Sequence, residues 1–102
     1  MSAFFGSALL VADTVTMLYE HAGANPITVN IRAANQNKSS VQYWVAIGSG
    51  AQPEGKNCIT PNVFVPGNTP WEDTAQRINP GEKIWAKATK GDVSVRVFGA
   101  ED

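Results

Sequence analysis

One cysteine and one histidine stand among 102 residues, and these scarcities remove several kinds of protein at once. A single thiol, Cys58, excludes an internal disulfide, and Cys58 with His21 cannot supply the three or four ligands of a His/Cys metal cage. No apolar run approaches the roughly 18 residues of a membrane-spanning helix. Neither sign of charge dominates: eight Lys and Arg against nine Asp and Glu leave a net charge of −1. That balance argues against a chain built to hold nucleic acid or an anionic membrane. The opening Met1-Ser2-Ala3-Phe4-Phe5 carries no basic residue and its apolar stretch ends at Asp13, a poor match to a signal peptide. Gly48-Ser49-Gly50 lacks the Gly-Lys-Ser/Thr ending of a phosphate loop. No internal repeat or low-complexity tract is visible.

What remains is ordinary globular composition, 43% hydrophobic and 17% charged, in a length that supports one core. A domain this small gains stability by assembling with copies or partners, so a homo-oligomer is expected.

Short alternating segments separated by Gly, Pro, Asn and Ser predict an all-β fold. Strands are expected at Gly6 to Val11, Thr14 to Glu20, Ile27 to Ala33, Val41 to Ile47, Asn62 to Val65, Trp71 to Ile78, Ile84 to Thr89 and Asp92 to Phe98. Ile27, Val29 and Ile31 point one way and Thr28, Asn30 and Arg32 the other. Between Gly48 and Gly67 the prolines confine any strand to a sheet edge. The last two strands read as a hairpin through Lys90-Gly91. In it Ile84, Ala86 and Ala88 face Val97, Val95 and Val93 on one side, while Trp85 sits opposite Arg96 on the other. The predicted architecture is a single compact antiparallel β-sandwich, jelly-roll or Ig-like, with about seven short strands over 13–102. Residues 1–12 form an apolar segment that either packs on its own domain or docks as an arm on a neighbour.

No set of residues assembles a reaction. His21 reads as a solvated loop imidazole without a nucleophile or orienting acid. Cys58 reads as semi-buried, with a bond to a neighbouring chain as the alternative. Glu72 and Asp73 are adjacent, so on a strand they face opposite ways and cannot flank one glycosidic bond. Neither a catalytic residue, a cofactor nor a metal is expected. Lys83, Trp85, Lys87 and Arg96 form a basic stripe with an aromatic centre, but the slightly acidic domain and the guarding role of strand lysines argue against a nucleic-acid partner. Trp44, Trp71 and Trp85, with Phe4, Phe5, Leu9, Leu10 and Arg96, are the interface candidates. Exposed tryptophans also suit a sugar-stacking module.

Thr14-Val15-Thr16-Met17-Leu18-Tyr19, a Gly-containing break and Ile27-Thr28-Val29-Asn30-Ile31-Arg32-Ala33-Ala34-Asn35 are followed by Val41 to Ile47. Pro80-Gly81-Glu82-Lys83-Ile84-Trp85 and Val93-Ser94-Val95-Arg96-Val97-Phe98-Gly99 complete the series. This pattern resembles the small β-sandwich structural proteins of tailed-bacteriophage virions. The segment between Gly50 and Thr69 has no counterpart in the pattern, and Glu20-His21-Ala22-Gly23 replaces a Pro-Ala-Gly break. The resemblance implies a non-enzymatic virion component, made in the host cytoplasm, with the capsid surface as its favoured place. A head-decoration or cement protein bound to the major capsid protein is the leading expectation, as a homo-oligomer, with a trimer as the working assumption and no membrane partner. A tail, baseplate or fibre-attachment protein is the alternative, and a carbohydrate-binding receptor-contact module a further one.

Overall fold

The computed structural model describes residues 3–101. Within them lie eight strands: β1 (Ala3–Leu9), β2 (Thr16–Glu20), β3 (Ile27–Asn35), β4 (Val41–Gly48), β5 (Cys58–Val65), β6 (Thr69–Ile78), β7 (Lys83–Ala88) and β8 (Val93–Glu101). One 3-10 turn, Gly55–Asn57, precedes β5. The strands form two four-stranded antiparallel sheets, sheet A in the order β1-β8-β3-β6 and sheet B in the order β2-β7-β4-β5. First pairs with last, second with seventh, third with sixth and fourth with fifth. That nested pairing is the wrapping of a jelly roll, so the sandwich takes the first of the two predicted forms.

The core lies between the sheets. Ile27, Val29, Ile31 and Ala33 of β3 and Val93, Val95 and Val97 of β8 face Tyr43 and Val45 of β4 and Ile84, Ala86 and Ala88 of β7, all nearly inaccessible to solvent. Each buried Val or Ile contributes about 1.5–3 kcal/mol by leaving water. The inward sets of β3, β7 and β8 match the alternation in the sequence.

Their pairing does not match the predicted hairpin. β7 lies in sheet B and β8 in sheet A, so the turn at Lys90-Gly91 crosses from one layer to the other. Alternation with period two identifies the residues that face the core, and two strands facing each other across the core satisfy it as well as two neighbours in one sheet. Trp85 is therefore next to Met17 and Ala46, whereas Arg96 is next to Ser7 and Arg32 on the far side of the sandwich. The basic stripe does not exist as one surface.

Every sheet edge is irregular. β1 carries an extra residue between Phe4 and Gly6, and β2 one between Met17 and Tyr19. β5 is shifted twice against β4, and β6 once against β3. Pro61 and Pro70 fall in β5 and β6, at sheet edges as the proline spacing predicts. Bulges and prolines of this kind prevent an edge from templating another strand. At Gly6 a Cβ would run into the Leu18 carbonyl oxygen, so only glycine lets β1 close down on β2. In the β6 bulge Ala75 is held at φ 55, with its N–H bonded to Asn30 Oδ1 at 2.9 Å.

Two buried side chains tie the loops. Asn35 Nδ2 donates to the carbonyls of Ser39, Val65 and Pro66 at 3.0–3.1 Å, and Oδ1 accepts from the Asn37 backbone and side chain at 3.0 Å. Asn37 Nδ2 continues to the Gly91 carbonyl at 2.7 Å. At the opposite end His21 is buried, not solvated: Nε2 donates to the Asn25 carbonyl at 2.5 Å and Nδ1 shares a hydrogen bond with Tyr19 Oη at 3.0 Å. A carbonyl can only accept, so Nε2 carries a proton.

Asn35→Asp keeps the shape but replaces the donors with oxygen facing three carbonyls, and is expected to lower stability by about 2–4 kcal/mol in urea unfolding. Ala75→Gly relieves the left-handed backbone and is expected to raise stability by about 0.5–1 kcal/mol in the same measurement.

Candidate functional site

Both nitrogens of the one imidazole are engaged in holding a loop, so His21 has no lone pair to offer a substrate. Glu72 and Asp73 do diverge, as their adjacency predicts. Glu72 points outward and accepts from Arg32 Nη1 at 3.0 Å. Asp73 points inward, where Thr60 Oγ1 donates to Oδ1 at 2.7 Å and links the edges of the two sheets. Cys58 is a free, half-buried thiol opposite Ala46 at the start of β5. Among the described residues no three His, Cys, Asp or Glu gather to hold a metal ion, and no helix is long and apolar enough to cross a membrane.

The aromatic interface candidates divide by face. Trp85 points out of sheet B but is only 4% exposed, because Val15, Met17, Gln52 and Pro53 surround a hollow with it. Trp44 and Trp71 are half-buried, Trp71 packing against the core. None of the three lies open as a flat platform. Leu10 is likewise not a surface residue; it is 2% exposed and belongs to the core, with its N–H on the Val93 carbonyl. Phe5 is half-buried against Tyr19, ring centroids 5.2 Å apart. The segment 3–9 that carries Phe4, Phe5 and Leu9 is an edge strand of its own domain.

Two surfaces remain distinctive. The first runs from the β1–β2 connection into β2. Val11 is 64% exposed, and Val15 and Met17 are 44% and 50% exposed, beside the Trp85 hollow. Three large apolar side chains are thus exposed within one short stretch. The second is the outer face of sheet A. Across its centre Ser7, Arg96, Arg32 and Glu72 form one cross-strand row, and the Arg96 guanidinium stacks 4.4 Å from the Phe4 ring centroid. Neither Arg32 nor this row was legible in the sequence. Arg32 pairs with residues distant along the chain, and only the strand order reveals its neighbours.

Comparison with protein-family models, with curated proteins and with solved structures finds no match to this chain.

Inside the sandwich, Tyr43 Oη is buried without a protein hydrogen-bond partner. Burial, and after it the Asp73 charge, push its phenol far above the ordinary value of 10.0. The unfolded chain therefore loses this proton above about pH 10 while the folded chain keeps it, and stability falls as pH rises through that range. Tyr43→Phe is expected to flatten this alkaline fall, followed by urea midpoints below and above the ordinary phenol value. At neutral pH the variant should stay within about 1 kcal/mol of the parent, because the hydroxyl it loses has no protein partner.

Proposed function

We propose that this chain is a non-enzymatic structural protein of a tailed-phage virion, a decoration protein that docks on the head. The observation that carries the reading is the exposed apolar stretch Val11, Val15 and Met17 on a sandwich whose hydrogen-bonding edges are all bulged or proline-bearing. Such a domain meets a partner by side-chain burial, not by adding a strand. The motifs that resemble virion β-sandwich proteins lie in β2, β3, β4, β7 and β8, which build the central layers of both sheets and the strand bearing Met17. A small core and a thin domain also suit a protein whose stability grows on a scaffold of many identical sites.

In this reading Val11, Val15 and Met17 enter an apolar depression between capsid subunits, and the Trp85 hollow receives a side chain in return. Burying the three would contribute several kcal/mol per copy, and the symmetry of the head would repeat the contact. A tryptophan sugar platform is not favoured, since Trp85 is covered and Trp44 and Trp71 are half-buried.

Sedimentation with purified heads that lack the protein tests the proposal, with solution mass from light scattering fixing the oligomer. Saturable binding at a copy number set by capsid symmetry is expected. The triple variant Val11→Ser, Val15→Ser, Met17→Ser should lose at least about tenfold in affinity, roughly 1.4 kcal/mol, with an unchanged melting temperature. Binding to tails but not heads would move the protein to the tail, and binding to neither would overturn the reading.

A further inference from the structure

The geometry points to a second binding surface, a carboxylate-binding trough across the outer face of sheet A that takes an acidic polysaccharide. Arg32 and Arg96 are direct cross-strand partners on β3 and β8, the two central strands of the sheet. Like charges placed directly opposite destabilise a sheet. One countercharge is present: Glu72, on the other side of Arg32, bonds its Nη1 at 3.0 Å. Arg96 is held over the Phe4 ring and has no ion pair among the described residues. Among the described residues one positive charge is therefore left without a carboxylate partner on a central strand, held only against the Phe4 ring.

The floor around the two guanidiniums is built of small residues. Ser7 lies opposite Arg96, and Ser94 lies opposite both Leu9 and Ala34. Their short side chains leave a shallow hollow of about 460 Å3 between the arginines and Leu9. A second hollow of similar volume shares Arg32 and Ala34 and continues past Gln36, Asn68 and Thr69. Joined at Arg32, the two make an open trough that crosses the sheet from β1 to β6.

The chemistry of this lining selects its occupant. A guanidinium fork matches a carboxylate through two parallel hydrogen bonds. The hydroxyls and amides on either side suit sugar hydroxyls, and Leu9, Ala34 and Pro70 offer apolar surface to the C–H faces of sugar rings. A single strand of nucleic acid would need free aromatic faces for its bases, and the Phe4 face is already taken by Arg96. An acidic peptide would add to a strand edge or fill deep side-chain pockets; the edges here are bulged and the trough is shallow. A chain of uronic-acid rings, with a carboxylate on each ring and hydroxyls between, fits all parts of the surface. The inference does not rest on head docking, since it uses none of Val11, Val15 or Met17.

Titration calorimetry of the intact protein with oligogalacturonate at low ionic strength tests it. Saturable binding that weakens with added salt is expected, with none to neutral dextran. Arg96→Gln and Arg32→Gln should each weaken binding by about tenfold or more. Glu72→Gln, which removes the competing carboxylate, should tighten it severalfold. Arg96→Lys, which keeps the charge and loses the fork, should fall between parent and Arg96→Gln. Melting temperatures check that the variants fold. If Arg96→Gln does not, the opposite signs expected of Arg32→Gln and Glu72→Gln still decide. No binding by the parent, or binding indifferent to these substitutions, overturns the inference. Equal binding of poly-glutamate or of oligothymidylate also overturns it, in favour of an acidic protein surface or a nucleic-acid strand.

Discussion

Asn35 is the residue on which the joining of the two sheets depends. Its strand, β3, belongs to sheet A, yet its amide reaches three carbonyls in the β3–β4 turn and the β5–β6 corner, both of which lead from one sheet to the other. Through Asn37 the same network reaches Gly91 in the β7–β8 crossing. Gly67 fits beneath it only because it has no side chain; a Cβ there would strike the Lys38 carbonyl. Apolar burial pushes the sheets together without direction. A buried amide that must satisfy named carbonyls fixes where each layer begins, so orientation at this end comes from hydrogen bonds and adhesion from the core.

The sequence was informative wherever one physical rule acted alone. In β3, β7 and β8, alternation of apolar and polar side chains identified the inward set, because each strand buries one face only. Strand partnership was not legible from the same signal. The apparent hairpin of β7 and β8 matched face with face because both strands contribute to one core, from opposite sides. β5 read as shorter than it is, since Pro61, the left-handed Asn62 and two register shifts break the alternation over Cys58 to Val65. A bulged edge has no fixed period, so periodicity underestimates it.

The surface residues divided in the same way. Phe4 and Leu9 were recognisable as apolar excess near the start of the chain and are indeed exposed, at 52% and 60%. Leu10, one residue on, points inward, and a flip of face across a single peptide is beyond composition to tell. His21 read as solvated because Gly, Ala and Asn surround it, but the turn it sits in folds over the ring and uses it as an internal clasp. Arg32 read as an ordinary outward residue, and Arg96 as an interface candidate beside Trp85, not beside Arg32. Their conflict arises only when the wrapping of the roll sets β3 beside β8.

That wrapping also governs the order in which the protein can come into being. β1, the first of the described strands to be synthesised, has β8 as its partner in sheet A, and β8 also separates it from β3. At about 5–20 residues per second, β1 waits roughly 5–20 s for residues 93–101 to be synthesised. Among the described strands, only β4 and β5 are both consecutive in the chain and paired, so one hairpin is all that can form early. Assembly of sheet A therefore waits for β8 and is slow, and the Val- and Ile-rich strands made meanwhile keep their apolar faces uncovered until it arrives.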